Sequence, residues 1–269
     1  MTAKEEESYI GLVVADKEAN ITEACIVKDE EGQTILIYAP FPGDLADFRN
    51  AVLPVPMGIT TRSAGTYNAS RTFGKSAKRV VLQREGCRDT SLSMDMPDEH
   101  KRIVDVALLL QEQMEKYYPG QLAKDFEATK DITEEWRMTP GALWTSGVIN
   151  YASALPYHKD RNNFAAWVAM PLIRRGVRGG YLHVPAYDVT VACSDGMVVY
   201  FPGYLYTHGV TPMKRVKPDG YRYSVVYYAL KHMKDCATAA LETAAARRRR
   251  TEREEIMAEK VRQALEDTD

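Results

Sequence analysis

The sequence predicts an α+β protein that is mainly β, and two patterns in the chain lead to this class. Residues 141–232 contain short apolar runs separated by turn signals such as RGVRGG, SDG and KPDG, which is typical of a barrel or sandwich. Residues 97–120 instead repeat apolar side chains near helical spacing. We expect the functional site to lie within the β-rich block, residues 141–232.

The first 140 residues are predicted to form strands and one long helix. The runs YIGLVVA, ACIVK and TILIYAP in residues 9–58 are separated by acidic turns such as KDEEGQ, which indicates strands of a sheet. The segment PDEHKRIVDVALLLQEQMEKYYPG follows, with Pro97 at an early helical position and Asp95 as a candidate cap. We expect one amphipathic helix packed on that sheet.

The β-rich block and the tail complete the predicted organisation. The predicted strands of the block lie in ALWTSGVINYA, AAWVAMPLI, GGYLHV, DVTVAC, GMVVYF and YRYSVVYYAL. Residues 233–269 are rich in Ala, Glu and Arg without a continuous apolar stripe, which favours a surface helix or a partly disordered tail. We therefore expect one domain over residues 1–232, with N-terminal strands and helix in 1–140 and the β core in 141–232.

Composition excludes several classes of protein. The chain has 269 residues, 45% hydrophobic and 27% charged, with a net charge of −2, unlike domains that coat nucleic acid through a strongly basic surface. No apolar run approaches the roughly 20 residues of a membrane span, and MTAKEEESY is unlike a secretion signal. The cysteines lack CxxC spacing, so neither a zinc knuckle nor a disulfide framework is expected, and a cytoplasmic setting fits best; they are Cys25, Cys87, Cys193 and Cys236.

One basic segment lies between Arg62 and Arg88, where seven cations accompany the single acid Glu85. Such a run is most often a solvated surface, and contact with a nucleic acid is the alternative. The alternative gains weight only if the chain also contains chemistry that acts on nucleic acids. The cations are Arg62, Arg71, Lys75, Lys78, Arg79, Arg84 and Arg88.

The stretch PYHKDRNNF contains a candidate half of a metal site. In an extended strand, side chains two apart point the same way, so His158 and Asp160 can offer an imidazole and a carboxylate to one ion. His208 is the best third ligand, since it ends a strand-like run and Gly209 leaves the backbone free there. Two histidines and one carboxylate form the facial triad of non-haem Fe(II) oxygenases. The alternative is a His-x-Asp pair on a surface loop.

Fourteen residues after His208, the run YRYSVVYYAL places Arg222 and Ser224 on one strand face. A guanidinium beside a hydroxyl suits a carboxylate, which it can hold by two charge-assisted hydrogen bonds. An arginine that points inward needs an anionic partner because an unpaired buried charge is costly. A structural Arg–Asp pair is the alternative to a bound ligand.

The order His-x-Asp, about fifty residues, His, then Arg-x-Ser resembles the Fe(II)/2-oxoglutarate dioxygenases over residues 141–232. Within that superfamily, PYHKDRNNF, RRGVRGGYLHVPAYDV, DGMVVYFPGYLYTHGVTP and RYSVVYY look most like the branch of TET and the J-binding proteins. Those enzymes oxidise the methyl group of 5-methylcytosine or thymine in DNA. The resemblance implies a double-stranded β-helix core (jelly-roll, cupin-like) with flanking helices, and it implies Fe(II), 2-oxoglutarate and O2 as cofactor and cosubstrates.

The resemblance also implies roles for individual residues. His158, Asp160 and His208 would bind iron, and Arg222 with Ser224 would anchor 2-oxoglutarate. Asn163, three residues after the aspartate, would contact the target base with Tyr228 nearby, and Arg71 in RTFGKSAKRVVLQREGC would be a second 2-oxoglutarate or DNA contact.

The chain departs from the pattern of its relatives at several points. Leu230 stands where TET enzymes place a base-contacting histidine, for which His232 is a substitute or else a surface residue. The cysteine-rich region of animal TET proteins and the separate DNA-binding domain of J-binding proteins are both missing. These departures suit a compact bacteriophage or bacterial member, which in a phage would act in the host cell cytoplasm.

The resulting hypothesis is hydroxylation of the 5-methyl group of 5-methylcytosine or thymine in DNA, with the base flipped out of the duplex. One alternative keeps the chemistry but takes a free nucleotide, a small molecule or a protein side chain as substrate. Another is a non-catalytic β-helix module that binds DNA or a protein partner. The intact triad and Arg222 argue against the last, and the oligomeric state stays open.

Overall fold

Two antiparallel sheets dominate the computed structural model, which describes residues 3–61, 67–79 and 86–266. The helices are α1 (Ala3–Ser8), α2 (Leu45–Val52), α3 (Leu92–Asp95), α4 (Pro97–Tyr117), α5 (Gln121–Ala128) and α6 (Ala239–Glu266). The strands are β1 (Cys25–Lys28), β2 (Thr34–Pro40), β3 (Gly58–Thr61), β4 (Tyr67–Ser76), β5 (Arg88–Asp89), β6 (Ser146–Tyr151), β7 (Leu155–His158), β8 (Val168–Arg175), β9 (Val177–Gly179), β10 (Leu182–Val184), β11 (Val189–Val191), β12 (Met197–Phe201), β13 (His208–Val210), β14 (Met213–Arg215) and β15 (Tyr221–Tyr228).

The larger sheet has the order β1-β2-β12-β8-β15-β6-β4-β3, and β5 pairs with β4. The smaller sheet has the order β11-β10-β13-β7, while β14 and β9 form a separate ribbon. Apolar side chains of both sheets meet in one buried cluster, which includes Met170 and Val199 from the larger sheet and Leu182 and Val191 from the smaller. The core of the protein is therefore a sandwich, and the face of β15 that bears Arg222 is buried.

Helix α4 covers the outer face of the larger sheet, as its amphipathic pattern predicts. Its buried stripe includes Ile103, Leu110 and Met114, and the hydroxyl of Tyr227 on β15 donates to the carbonyl of Ile103 at 2.6 Å. The helix begins at Pro97, and Met96 rather than the predicted Asp95 is the capping residue. The elements confirm the predicted α+β, mainly β class. Because Tyr227 contacts α4, the opposite face of β15, which bears Arg222, points towards the smaller sheet.

Most predicted strands are present, but the first is not. The run YIGLVVA lies in turns and irregular backbone, because the amides of Tyr9, Ile10 and Leu12 each donate to the carbonyl three residues earlier. The amide of Gly11 donates to the carbonyl of Tyr157 at 2.8 Å, and the amide of Tyr157 donates to the carbonyl of Leu12 at 3.0 Å. Two bonds hold the segment against the smaller sheet without extending it into a strand.

The C-terminal segment is anchored to the domain at its start, while most of helix α6 beyond Glu242 is exposed. The expectation of no disulfide is wrong, since Cys87 and Cys236 are joined across a sequence separation of 149 residues. Glu242 in the first turn of α6 is buried and accepts from the amides of Cys87 and Ala237. Spacing in the sequence could not indicate this pair, because the fold alone brings the two cysteines together. In the described part of the chain, no helix is long and apolar enough to cross a membrane.

Candidate metal centre

The two histidines of the predicted triad are direct cross-strand neighbours. His158 ends β7, His208 begins β13, and the two residues pair in the antiparallel register of the smaller sheet. Their ring centroids are 4.4 Å apart with 50° between the ring planes. Residues that face each other in an antiparallel pair have neighbouring side chains, so strand register alone brings together two ligands fifty residues apart.

Hydrogen bonds fix the tautomer of both imidazoles. Nδ1 of His158 lies 2.8 Å from the carbonyl of Pro156, and Nδ1 of His208 lies 2.9 Å from the carbonyl of Tyr206. Because a carbonyl only accepts, each Nδ1 is the protonated nitrogen and each Nε2 has a free lone pair. Burial, followed by the neighbouring His158, lowers the pKa of His208, so this ring stays neutral near pH 7. A neutral imidazole oriented by a bonded Nδ1 is suited to bind a metal through Nε2.

Asp160 completes the cluster from the loop that follows β7. The strand ends at His158, so the aspartate is oriented by the loop and not by the strand alternation that the sequence suggested. Its amide donates to the carbonyl of Gly203 at 2.9 Å, and its Oδ1 is 3.8 Å from Nε2 of His158. One ligand atom from each of the three residues lies within 4.8 Å of the others. Two imidazoles and one carboxylate at this spacing fit a divalent transition metal with open coordination positions.

Arg222 is a buried cation that has no anionic partner among the described residues. It is 1% exposed, and Nη1 is 3.5 Å from Oγ of Ser224, which is also buried. Within the described residues, Nε and Nη2 of Arg222 have no hydrogen-bond partner and no carboxylate pairs with them; the thiol of Cys193 lies nearby but is only a weak partner. Burial lowers the pKa of this guanidinium. The structural Arg–Asp pair is therefore not formed, and the site fits a carboxylate ligand.

Asn163 and Tyr228 lie where two segments of the chain meet. Asn163 is 8% exposed, and its backbone forms an isolated bridge with Leu230, two residues beyond Tyr228. The backbone amide of Asn163 donates to the backbone carbonyl of Asp160 at 2.9 Å, so Asn163 is held next to the loop that carries Asp160, the metal loop. The candidate substitute His232 is instead exposed, with Nδ1 3.7 Å from a carboxylate oxygen of Asp235.

The structure gives Arg71 another partner. Its guanidinium pairs with Asp95 on the side of the sheet that α4 covers, where the nearby Phe73 meets Tyr227 edge to face. Arg71 is therefore not brought together with Arg222, which lies on the opposite face of the same sheet. Of the other cations in the basic segment, Lys75 pairs with Asp89, and Lys78 donates to the carbonyl of Asp235.

The rest of the basic segment is exposed or undescribed. Arg79 and Arg88 are exposed, while Arg62 and Arg84 lie outside the described residues. Three of the seven cations in the predicted basic segment therefore have hydrogen-bond or ion-pair partners within the protein.

Gly203 is a site residue that sequence reasoning missed. A Cβ added there would lie 2.6 Å from Oδ2 of Asp160 and 3.4 Å from Cε1 of His208. Gly180 has a similar relation to Arg222, whose Nε would lie 2.9 Å from an added Cβ. The tripeptides FPG and RGG mark both positions as turns, but only the assembled fold shows that the space beside each glycine is taken by Asp160 or Arg222.

Comparison with known proteins identifies the fold. No protein-family model matches the chain, and no curated protein matches it by sequence. Among solved structures, NgTET1 in complex with 5mC DNA is similar over 86% of this chain and 89% of its own, with a TM-score of 0.58 and 15% identity. A 2OG-Fe(II) oxygenase-family oxidoreductase from Burkholderia pseudomallei is similar over 80% of this chain and 97% of its own, with a TM-score of 0.51 and 14% identity. The fold is the double-stranded β-helix that the sequence predicts.

Proposed function

We propose that this chain is an Fe(II)- and 2-oxoglutarate-dependent oxygenase. The observation that supports it best is the combination of a preoriented His-Asp-His cluster with a buried arginine, Arg222, for which the described part of the chain provides no anion. A binding module would have no need for either feature, and both are costly to keep in a folded protein. The non-catalytic alternative has no comparable feature in its favour.

In this proposal five polar residues have defined tasks. His158, Asp160 and His208 would hold Fe(II), and Arg222 with Ser224 would bind the distal carboxylate of 2-oxoglutarate. With Fe(II) bound, the reaction couples insertion of one atom of O2 into a C–H bond to the conversion of 2-oxoglutarate into succinate and CO2. The protein orients the reactants: Nδ1 bonds hold the imidazoles, and the sandwich excludes water from Arg222.

We further propose that the substrate is the 5-methyl group of 5-methylcytosine or thymine in DNA. The shared fold with a protein that was determined bound to 5mC DNA supports this choice, as does the position of Asn163 beside the metal loop. An amide side chain can donate and accept, so it can pair with the polar edge of a flipped base. Tyr228 lies on the same face of β15 as Arg222 and Ser224, and its ring would contact the same base.

Exposed cations next to Asn163 would contact the phosphates. Nζ of Lys231 donates to the carbonyl of Arg161, and the amide of Lys231 donates to the carbonyl of Asn162. Lys234 is exposed on the same short segment, and Lys78 is joined to its end through Asp235. Such a group can bind a phosphodiester backbone although the whole protein is slightly acidic, and its affinity should fall with added salt.

The test is incubation with Fe(II), 2-oxoglutarate and duplex DNA that contains 5-methylcytosine, followed by mass spectrometry of the nucleosides and measurement of succinate. We expect 5-hydroxymethylcytosine, or 5-hydroxymethyluracil if thymine is the substrate, in proportion to succinate. Asp160→Ala should abolish both products, and 5-methyl-dCTP in place of DNA should give neither. Succinate formed equally with and without DNA would reject the DNA assignment, and full activity of Asp160→Ala would reject the metal centre.

A further inference from the structure

The N-terminal helix α1 packs against the two segments that supply the metal ligands. One carboxylate, that of Glu6, contacts both segments. Its Oε2 is 3.0 Å from Nζ of Lys159, the residue between His158 and Asp160. Its Oε1 accepts from the amide of Thr207 at 2.5 Å, directly before His208. The partners of Glu6 lie 153 and 201 positions later in the sequence, so only the folded chain joins them.

Both contacts are shielded from water. The Glu6 side chain is 12% exposed and that of Lys159 is 18% exposed, whereas most of the other ion pairs between described residues have at least one largely exposed partner. Charge-assisted hydrogen bonds are stronger and better defined when water cannot compete for them. The Glu6–Lys159 pair can therefore restrict the relative positions of α1 and the loop at Lys159, which an exposed ion pair would do only weakly.

The amide of Thr207 gives the second contact a structural reason. Strand β13 begins at His208, so this amide precedes the strand and needs a partner from elsewhere. Glu6 supplies it, while the neighbouring carbonyl of Tyr206 accepts from Nδ1 of His208. The hydrogen bonds at Tyr206 and Thr207 thus both help to fix the orientation of the His208 ring.

The N-terminal segment is itself anchored next to β7. Gly11 and Leu12 exchange backbone hydrogen bonds with Tyr157, and the rings of Tyr9 and Tyr157 meet edge to face at 5.3 Å. Val14 packs close to Gly209, where an added Cβ would lie 2.5 Å from its methyl group. These contacts set the position of α1 along the sheet and hence the position of Glu6.

We propose that Glu6 is a positioning residue of the metal centre, which sets the spacing between His208 and the His158–Asp160 segment without itself binding the metal. The inference rests on the proposed function, since it requires the triad to bind a metal ion. Without Glu6, the turn at Thr207 and the loop at Lys159 lose their common partner, and the three ligands spend less time at the separation that one ion requires. Groups that orient metal ligands in this indirect way typically change metal affinity by about 10- to 100-fold.

The test uses Co(II), whose visible d–d absorption reports both affinity and ligand geometry. The proteins compared are the wild type, Glu6→Ala, Glu6→Gln and the matched control Glu7→Gln, which alters the adjacent, exposed carboxylate 3.9 Å from Arg161. We expect Glu6→Ala to bind Co(II) about 10-fold more weakly, with a shifted spectrum. Glu6→Gln should fall between Glu6→Ala and the wild type, because an amide oxygen can still accept from Thr207 but cannot pair with Lys159. Glu7→Gln should match the wild type.

A double variant separates positioning from general stability. Lys159→Met should weaken Co(II) binding in the wild type and have little further effect in Glu6→Gln, because both changes remove the same ion pair. Glu6→Ala with wild-type Co(II) affinity and spectrum overturns the inference, even if its unfolding temperature falls. Failure of the wild type to bind Co(II), or wild-type binding by Asp160→Ala, would instead reject the metal centre and the proposed function.

Discussion

Gly203→Ala should impair the metal centre by displacing one ligand. The backbone at Gly203 is not in the left-handed region, so alanine introduces no backbone strain there and adds only a methyl group. That methyl carbon would lie 2.6 Å from Oδ2 of Asp160, and the oxygen must retreat by roughly 0.8 Å to restore ordinary contact. Metal–ligand distances tolerate only about 0.2 Å, so the aspartate cannot keep its bond without moving its loop.

We expect Gly203→Ala to lower kcat/KM for succinate formation by about 10- to 100-fold, since a misplacement near 1 Å costs on the order of a hundredfold. The assay measures succinate at saturating Fe(II), together with the Co(II) affinity of the same protein. Gly58→Ala is the matched control, because an added Cβ there meets its nearest neighbour, the carbonyl of Ser70, at 3.8 Å. Equal activity and equal Co(II) affinity in the two variants would refute the argument that Gly203 leaves space for the Asp160 carboxylate.

Three further predictions concern buried groups. Arg222→Met should weaken 2-oxoglutarate binding by about 3 kcal/mol, on the order of a hundredfold, yet raise the free energy of unfolding without ligand, because it removes an unpaired buried charge. Burial raises the pKa of Asp125 to about 6, so its contribution to stability is full below about pH 4 and is lost as pH rises through 6; Asp125→Asn should remove up to about 3 kcal/mol of this pH dependence. Reduction of Cys87–Cys236 should lower the free energy of unfolding by about 2 to 4 kcal/mol, as the bond closes a long loop.

Each of these predictions has a simple readout and a result that contradicts it. Calorimetry with 2-oxoglutarate and denaturant unfolding without it test Arg222→Met, and a loss of stability in the second assay would mean that the guanidinium has a partner. For Asp125, unfolding is measured from pH 4 to 8 in both proteins, and parallel curves would contradict the raised pKa. For the disulfide, Cys87→Ser/Cys236→Ser is compared with the reduced protein, and a stability equal to that of the oxidised wild type would show that other contacts hold α6.

The sequence by itself predicted most of the secondary structure of the core and a candidate set of metal ligands. Apolar alternation in the 141–232 block predicts the strands that the structure contains, because half-buried strands need that pattern, and the repeat of α4 predicts the helix. The residues His158, Asp160, His208 and Arg222 were identified from chemistry and spacing, and the structure brings the first three together. Such patterns can be recognised in the sequence because each one depends on residues that are close together within a single helix or strand.

Only the tertiary structure decided the contacts that join distant segments. Strand register sets His158 opposite His208, and Glu6, Gly203 and the Cys87–Cys236 pair act through residues far away in the chain. In YIGLVVA, where the apolar pattern predicts a strand, the chain instead turns after α1 and is held to Tyr157 of β7 by two backbone hydrogen bonds. No local signal encodes such contacts, because a carboxylate, a glycine or a cysteine acquires its role only from what the fold places within a few ångströms of it.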